Sequence, residues 1–507
     1  MTAHHTRFLK PLYVTENPLR ALGAEAARIE KEEGVGLVRC NVGDPTGPTL
    51  DEANFAMSQY FLTRPKGTGY TDHTGEPSLR AKAAEILAKV GRLPPGTFDV
   101  DKVFCVPGGT GGLNTALSIF EEDEAQVLVT DPFYPPWDPI TARNHMNMIR
   151  FPLRAEDDYL LNEDILREKM KAARADKPLV LMYHYPHNPT GKTLTEADAK
   201  KLGGILNRLT AEFPNLYLIQ EDLYLATVRS DLGVYTPMQF LSDDALERTI
   251  LVHSPSKEGH GQDRGALVAT PSATIAKYIR GTTAFSYLGT ATSSLLGTVV
   301  TLDNIAEGLD PQPVGKNDVS HRYETANYYQ ERMAAIGQGF IDLEATLGVK
   351  MLDSGIPEGT YYLYPRLDCL KGVTVPHALQ DSLQIADEYK GSAPETIQTA
   401  SDIMHVFARA HRIGFMPIMV TPGQFFTDNN DELRIRIAAV DRDPTRLNEA
   451  ANTIKGVIGT LLGLDLKKLG VKIRTTEELK REFPPVPAAA TAIAISTAKA
   501  APPPAPV

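Results

Sequence analysis

The chain has 507 residues, enough for more than one hydrophobic core, and its 42% hydrophobic and 23% charged content excludes a disordered or fibrous protein. Lys and Arg number 52 against 63 Asp and Glu, and the net charge of −11 argues against general binding to nucleic acid or to an anionic membrane. Cys40, Cys105 and Cys369 are far apart without metal-ligand spacing, the start MTAHHTRFLK lacks the apolar core of a signal peptide, and no apolar run reaches the roughly 18 residues of a membrane span, so we expect a metal-free, cytoplasmic protein.

Asn17-Pro18 opens a helical pattern carried by Leu19, Leu22, Ala26 and Ile29, which Gly34 and Gly36 end. A short strand from Leu37 leads into Asn41-Val42-Gly43-Asp44-Pro45, where Gly43 marks a bend or a close backbone approach to a ligand. Residues 67–80 form a glycine-rich loop entering a helix at Pro77, and Tyr70 stands there among residues too small to bury it. From Val103 onward, seven apolar runs recur, at 103–106, 127–129, 148–152, 179–183, 216–219, 250–252 and 266–269. Helical stretches at 113–120, 163–173 and 196–213 separate several of them. This alternation predicts an α/β fold: a seven-stranded, mostly parallel sheet covered by helices on both faces. A long helix over 320–347 and strands near 359–364 and 433–438 predict a smaller α+β domain. Residues 371–398 read as an insertion, and the Ala/Pro-rich end as a disordered tail.

Ligands of such sheets bind at the carboxyl ends of the strands, and the unusual residues of this chain gather there. The first run ends in Pro107-Gly108-Gly109-Thr110-Gly111-Gly112 before a helix, where free N–H groups attract phosphate, although a plain turn would read the same way. The second ends in Asp131-Pro132-Phe133-Tyr134-Pro135-Pro136-Trp137, an aromatic held between prolines that suits stacking on a planar ring or ordinary packing. The fourth ends in His184-Tyr185-Pro186-His187-Asn188-Pro189-Thr190-Gly191. Asn188 can donate to a phenolate oxygen or serve the turn alone. The fifth ends in Glu221-Asp222-Leu223-Tyr224, where a carboxylate either marks the exit to solvent or keeps a pyridine nitrogen protonated. The sixth breaks into Ser254-Pro255-Ser256-Lys257, with Arg264 seven positions on. A desolvated lysine there can form a Schiff base with a carbonyl, and serines with an arginine can hold a phosphate. A solvated loop lysine is the plain alternative, and GxGxxxG at 259–265 misses the dinucleotide fingerprint by one residue.

Taken in order, these motifs resemble the class I/II aminotransferases, pyridoxal phosphate enzymes of fold type I, over about residues 15–470. The similarity rests on NVGDP at 41–45, Y-x4-G-x3-LR at 70–80, GGTGGL at 108–113, DPFYPPW at 131–137 and NPTG at 188–191. It continues through D-x-Y at 222–224, S-x-S-K at 254–257, PGQFF at 422–426 and LRIRIA at 433–438. The resemblance implies that Lys257 is the Schiff-base lysine and proton shuttle, that Asp222 pairs with the pyridinium nitrogen, and that Asn188 and Tyr224 bond the ring phenolate oxygen. It implies Tyr134 stacked on the ring and Gly109, Thr110, Gly111, Ser254, Ser256 and Arg264 around the phosphate, with Tyr70 supplied by the other subunit of a homodimer. Arg434, with the backbone of Gly43 and with Asn188, is implied to bind the carboxylate of an α-amino acid or 2-oxo acid; Arg436, two residues on, is the competing candidate. It implies an N-terminal arm with part of the small domain over 1–48, a large cofactor domain over 49–315, the rest of the small domain over 316–482 and a tail over 483–507.

Two departures bear on the site. The spacing from Lys257 to Arg264 is one residue shorter than is usual in the family, so a displaced Arg264 is expected, with His260 entering the site. The stretch 284–294 lacks an arginine for a second carboxylate, so neutral donors are expected to outperform aspartate. Transamination competes here with other pyridoxal phosphate chemistries, namely β-lyase, decarboxylase or oxidase. It also competes with a catalytically silent regulatory relative and, more distantly, a nicotinamide oxidoreductase.

Overall fold

The computed structural model describes residues 18–64, 69–120, 125–311, 320–380, 395–429 and 431–485. The first residues of the arm, the centre of the 371–398 insertion and the Ala/Pro-rich end from 486 lie outside them.

Helix α1 (Pro18–Glu33) buries Leu22, Ala26 and Ile29, the i, i+4, i+7 stripe of an amphipathic helix. Gly34, at φ +71°, turns the chain toward strand β1 (Val38–Arg39). Helices α2 (Asp51–Thr63) and α3 (Pro77–Val90) follow. Pro77 presets the first turn of α3, and Glu76 accepts the Leu79 N–H at 3.0 Å.

The predicted alternation then appears as β2 (Val103–Pro107), α4 (Gly108–Ser118), β3 (Gln126–Asp131), α5 (Trp137–Arg143), β4 (Asn147–Pro152) and α6 (Glu163–Ala172). It continues as β5 (Leu179–Tyr183), α7 (Glu196–Glu212), β6 (Leu216–Asp222), α8 (Asp243–Leu246), β7 (Thr249–His253) and β8 (Gly265–Ala269). These seven strands form one sheet in the order β2-β8-β7-β6-β5-β3-β4. Only β8 runs antiparallel to its neighbours.

Each strand is apolar on both faces, as a sheet covered on both sides requires. On β6, Tyr217 and Ile219 join a core that holds Leu113, Ala116 and Leu117 of α4 with Trp137 of α5. Leu216 and Leu218 face the opposite core with Leu181, Tyr183 and Leu206. The strand therefore delivers odd-numbered residues to the α4 face and even-numbered residues to the other.

The remaining elements are α9 (Ala273–Ser286), α10 (Thr292–Glu307), α11 (His321–Leu347), β9 (Tyr362–Leu363), α12 (Ala400–Ala408), β10 (Ile418–Met419), β11 (Thr421–Pro422), β12 (Ile435–Ala438), α13 (Pro444–Leu461) and α14 (Thr476–Glu482). Strand β12 pairs antiparallel with β11 and β9, and β1 pairs parallel with β10. One continuous apolar core joins Leu22–Cys40 positions to residues 333–483, so the beginning of the chain closes on its C-terminal part.

Three expectations shift. Helix α4 begins at Gly108 rather than 113, so the glycines are its first turn; they let the helix lie close to the sheet, and a Cβ on Gly112 would stand 2.6 Å from Val252 Cγ1. The strand expected over 359–364 shrinks to Tyr362–Leu363, because Thr360 adopts φ +62° and breaks the extension. Phe483, assigned to the tail, is buried in the C-terminal core, and its carbonyl accepts the Gly36 N–H at 2.7 Å. The ends of the insertion are also seated there through Val375, Leu379 and Ile397.

Candidate active site

The first turn of α4, the turn after β3 and the loop after β7 meet at the carboxyl edge of the sheet. The guanidinium of Arg264 lies against Gly108, where a Cβ would come within 2.4 Å of Nη2, and Gly108 itself sits at φ +73°. Ser254 Cβ and Leu223 flank Gly109. Arg264 is thus not displaced by the shortened spacing; it reaches the helix end from a left-handed backbone conformation at φ +54°. His260 turns away, accepting the Leu50 N–H before α2 at 3.2 Å and pairing with Asp263 at 2.7 Å.

The hydroxyls of Ser254 and Ser256 lie 2.9 Å apart, and Ser254 donates to the Gly265 carbonyl at 2.8 Å. Ser254 also accepts the Ser256 N–H at 3.3 Å, so it holds the single turn that carries Lys257. Lys257 is half-buried, and its Nζ donates to the Gly43 carbonyl at 3.1 Å. Tyr361 donates to the same carbonyl at 3.1 Å. Gly43 is required there, because a Cβ would stand 1.9 Å from the Tyr362 hydroxyl.

Asn188 is buried, and its backbone N–H donates to His184 Nε2 at 2.8 Å. Burial holds His184 neutral, with its pKa pushed down to about 3, so that nitrogen is free to accept. Asn188 Oδ1 accepts from Arg436 Nη1 at 3.2 Å, which leaves the amide N–H₂ to donate elsewhere. Arg436 Nη2 donates to the Asn41 carbonyl at 3.0 Å, and its guanidinium is packed 4.4 Å from the Tyr362 ring centroid and 4.5 Å from that of Phe426. No carboxylate among the described residues pairs with Arg436, and its buried Nε has no hydrogen-bond partner among them. The Tyr224 and Tyr362 hydroxyls are 3.3 Å apart.

Arg434 does not join this group. It is held at 2.8 Å by Asp353 and at 2.5 Å by Glu432, and it donates to the Tyr364 carbonyl at 3.2 Å. Its charge is already matched. Asp222 also stands apart: both carboxylate oxygens accept from Gln220 Nε2, at 3.2 and 3.0 Å, and Gln220 is bonded at 3.2 Å to Tyr183 on the sheet face away from α4. Burial pushes Asp222 up to about 7. Glu221 occupies the α4 face in its stead, with Trp137 Nε1 donating to it at 3.3 Å. Glu221 and Trp137 lie within the strand-end motifs at 221–224 and 131–137 but have no role assigned from the sequence; the β6 face that Glu221 takes brings the two together. Tyr70 is fully exposed, in the loop beside Thr71, which donates to the Thr290 carbonyl at 3.4 Å.

The sheet order and this cluster define a fold type I pyridoxal phosphate enzyme scaffold. A family model for class I and II aminotransferases matches residues 36–454, and the chain belongs to that family. Among curated proteins, it is 26% identical over 250 residues to an aspartate aminotransferase of Pyrococcus horikoshii, covering 48% of this chain and 57% of that one. It is 23% identical over 368 residues to a probable aspartate/prephenate aminotransferase of Aquifex aeolicus, covering 72% and 82%. The chain thus matches only about half the length of several curated relatives. The aspartate aminotransferase structure from Rhizobium meliloti superposes with a TM-score of 0.69 at 19% identity, over 88% of this chain and 97% of that one, which establishes the fold. Among the described residues no cluster suits a metal ion, and no helix is long and apolar enough to cross a membrane.

Proposed function

We propose that the chain is a pyridoxal phosphate-dependent aminotransferase that moves an amino group between an α-amino acid and a 2-oxo acid. The observation that carries this reading is the convergence of three groups on one edge of the sheet. They are a half-buried lysine, a glycine-built helix start with an arginine against it, and a buried arginine with no carboxylate partner among the described residues. The residues fit the cofactor. The first turn of α4 with Arg264 and Ser256 offers N–H, guanidinium and hydroxyl donors to a phosphate. Tyr134 offers a half-buried ring face, and the amide of Asn188 and the hydroxyl of Tyr224 offer donors to a phenolate oxygen. When bound, pyridoxal phosphate supplies a ring that disperses the negative charge left at Cα once its proton is removed.

The chain's own residues do the rest. Lys257 would hold the cofactor through Nζ and, once the incoming substrate amine has displaced it, would be the free amine that moves the proton at Cα. The Gly43 carbonyl orients that amine. Arg436 is the residue we assign to the substrate carboxylate, in place of Arg434: it is buried, fixed by Asn188 and Asn41, and presented between two aromatic rings that exclude water. Its fixed planar fork orients the α-carbon toward Lys257. Several relatives are named for aspartate or for LL-diaminopimelate, so the donor panel must include both.

The test is direct. The full chain loaded with pyridoxal phosphate should be yellow, bleach with borohydride, and carry the reduced label on Lys257. It should transfer nitrogen from an amino donor to pyruvate or 2-oxoglutarate. Labelling that survives Lys257→Ala, or a loaded protein that consumes amino acid without forming a new one, overturns the reading.

A further inference from the structure

Residues 221 and 222 are adjacent acids at the end of β6, and the strand sends them to opposite faces. Asp222 follows Leu216, Leu218 and Gln220 toward the core that holds Tyr183; both of its oxygens are taken by Gln220, and its partner across the ladder is His253. Glu221 follows Tyr217 and Ile219 toward the core under α4, opposite Val252, which packs against Gly112.

The phosphate-side groups and the aromatic turn lie on the Glu221 face. The start of α4 and Arg264 are there. Tyr134 and Trp137 are presented from a single turn, closed by the Trp137 N–H to Tyr134 carbonyl bond at 2.9 Å. Lys257 is near enough for its charge to favour the ionised form of Glu221, and Glu221 in turn acts on the Tyr134 hydroxyl. The carboxylate is 3% exposed; Oε2 accepts from Trp137 Nε1 at 3.3 Å, and Oε1 is buried without a hydrogen-bond partner among the described residues. A buried carboxylate oxygen without a donor is costly unless a donor or a positive charge comes to it. Burial, with the neighbouring Asp222, pushes Glu221 up to about 8 in spite of the Trp137 N–H and the Lys257 charge, and a cationic N–H at Oε1 would oppose that shift.

Resting on the cofactor reading above, we infer that Glu221, not Asp222, is the acid that keeps the pyridine nitrogen protonated, and that Trp137 is the positioning residue that aims it. The longer side chain does not alter the chemistry required: an acceptor on the α4 face that stays ionised beside the ring N–H. Asp222 then belongs to a structural network with Gln220 and Tyr183.

The assignment is read from the nitrogen itself. The full chain loaded with ¹⁵N-ring-labelled pyridoxal phosphate is compared with Glu221→Gln, Glu221→Asp, Asp222→Asn and Trp137→Phe by solid-state ¹⁵N NMR, with cofactor dissociation constants measured alongside. The wild type should give a protonated-pyridine signal. Glu221→Gln should move it to the neutral position and weaken cofactor retention, Glu221→Asp should recover part of it, and Asp222→Asn should leave it in place. Trp137→Phe should move the signal partway, since a carboxylate without its N–H donor takes a larger share of the proton. A nitrogen signal that moves in Asp222→Asn and holds in Glu221→Gln overturns this assignment while leaving the aminotransferase reading intact. A signal unmoved by Trp137→Phe removes Trp137 from it. A wild type that forms no reducible linkage to the cofactor overturns both.

Discussion

Two arginines separated by one residue divide their work by what each one meets. Arg434 and Arg436 share a face of the β12 segment, as strand alternation requires, while Leu433, Ile435 and Ile437 turn into the core. Arg434 is neutralised by Asp353 and Glu432; among the described residues Arg436 meets an amide oxygen, a backbone carbonyl and two aromatic rings, and no carboxylate. Arg436→Lys should therefore cost about 2–5 kcal/mol of transition-state binding, read as kcat/KM on an amino donor. Arg434→Lys should lower thermal stability with little change in that ratio. A larger kinetic loss at 434 would return the clamp to Arg434.

A second residue-scale consequence comes from Glu258. It is wholly buried, accepts the Ala226 N–H at 3.0 Å, and is pushed up to about 8 by burial. His253 stands 3.7 Å away, but burial lowers its pKa to about 4, so the contact is not an ion pair near neutrality. A carboxyl whose folded pKa is raised keeps its proton in the native state after the unfolded chain has released it. Its contribution is fully present below about 4.5 and is lost as pH rises through about 8. Glu258→Gln should flatten the fall in melting temperature of the cofactor-free protein across that window. An unchanged pH profile would mean that Glu258 ionises freely.

At the scale of elements, α4 shows how one stretch serves packing and chemistry together. Gly108 admits the Arg264 guanidinium, and Gly112 lets the helix settle on β7 with Val252 at van der Waals distance. The helix start is thereby held against the sheet edge, where its N–H groups and dipole favour an anion. Gly112→Ala should overpack this contact and destabilise the protein by about 1–3 kcal/mol, measured by chemical denaturation, while displacing the helix start and weakening cofactor retention. Unchanged stability would show that α4 can lift without cost.

For the whole molecule, the exposed apolar residues are unevenly placed. Phe55, Phe61 and Leu62 stand out on α2, and Phe285 and Leu288 at the end of α9, next to the loop of Tyr70. Large exposed apolar groups concentrated in this way suit a subunit contact. The homodimer that the family resemblance implies would cover them and carry Tyr70 toward the partner's phosphate site. Leu62→Glu should shift the protein toward monomer in sedimentation velocity and loosen the cofactor. A wild type that is monomeric and fully active at micromolar concentration would exclude the shared site.

What the sequence determined by itself was the architecture and the neighbourhood of the site. Seven apolar runs, spaced by helical periods, could only form a covered sheet, and glycine, proline and asparagine motifs mark where its strands end because turn chemistry is local. The placing of Lys257, Asn188 and the glycine run of 108–112 at strand ends could therefore be read from the sequence, although the first residue of α4 could not. Nor could the choice between adjacent candidates. The two faces of β6 are equally apolar, so no periodicity distinguishes Glu221 from Asp222; Trp137 and Gln220, both fixed by tertiary contacts, make the distinction. The free arginine of β12 is likewise decided by Asp353, 81 residues before Arg434, and by Asn188, 248 residues before Arg436. Strand alternation sets which side a residue takes, but only packing of distant segments sets what it meets there, and that encounter decides whether a charge is already matched or remains available to a substrate.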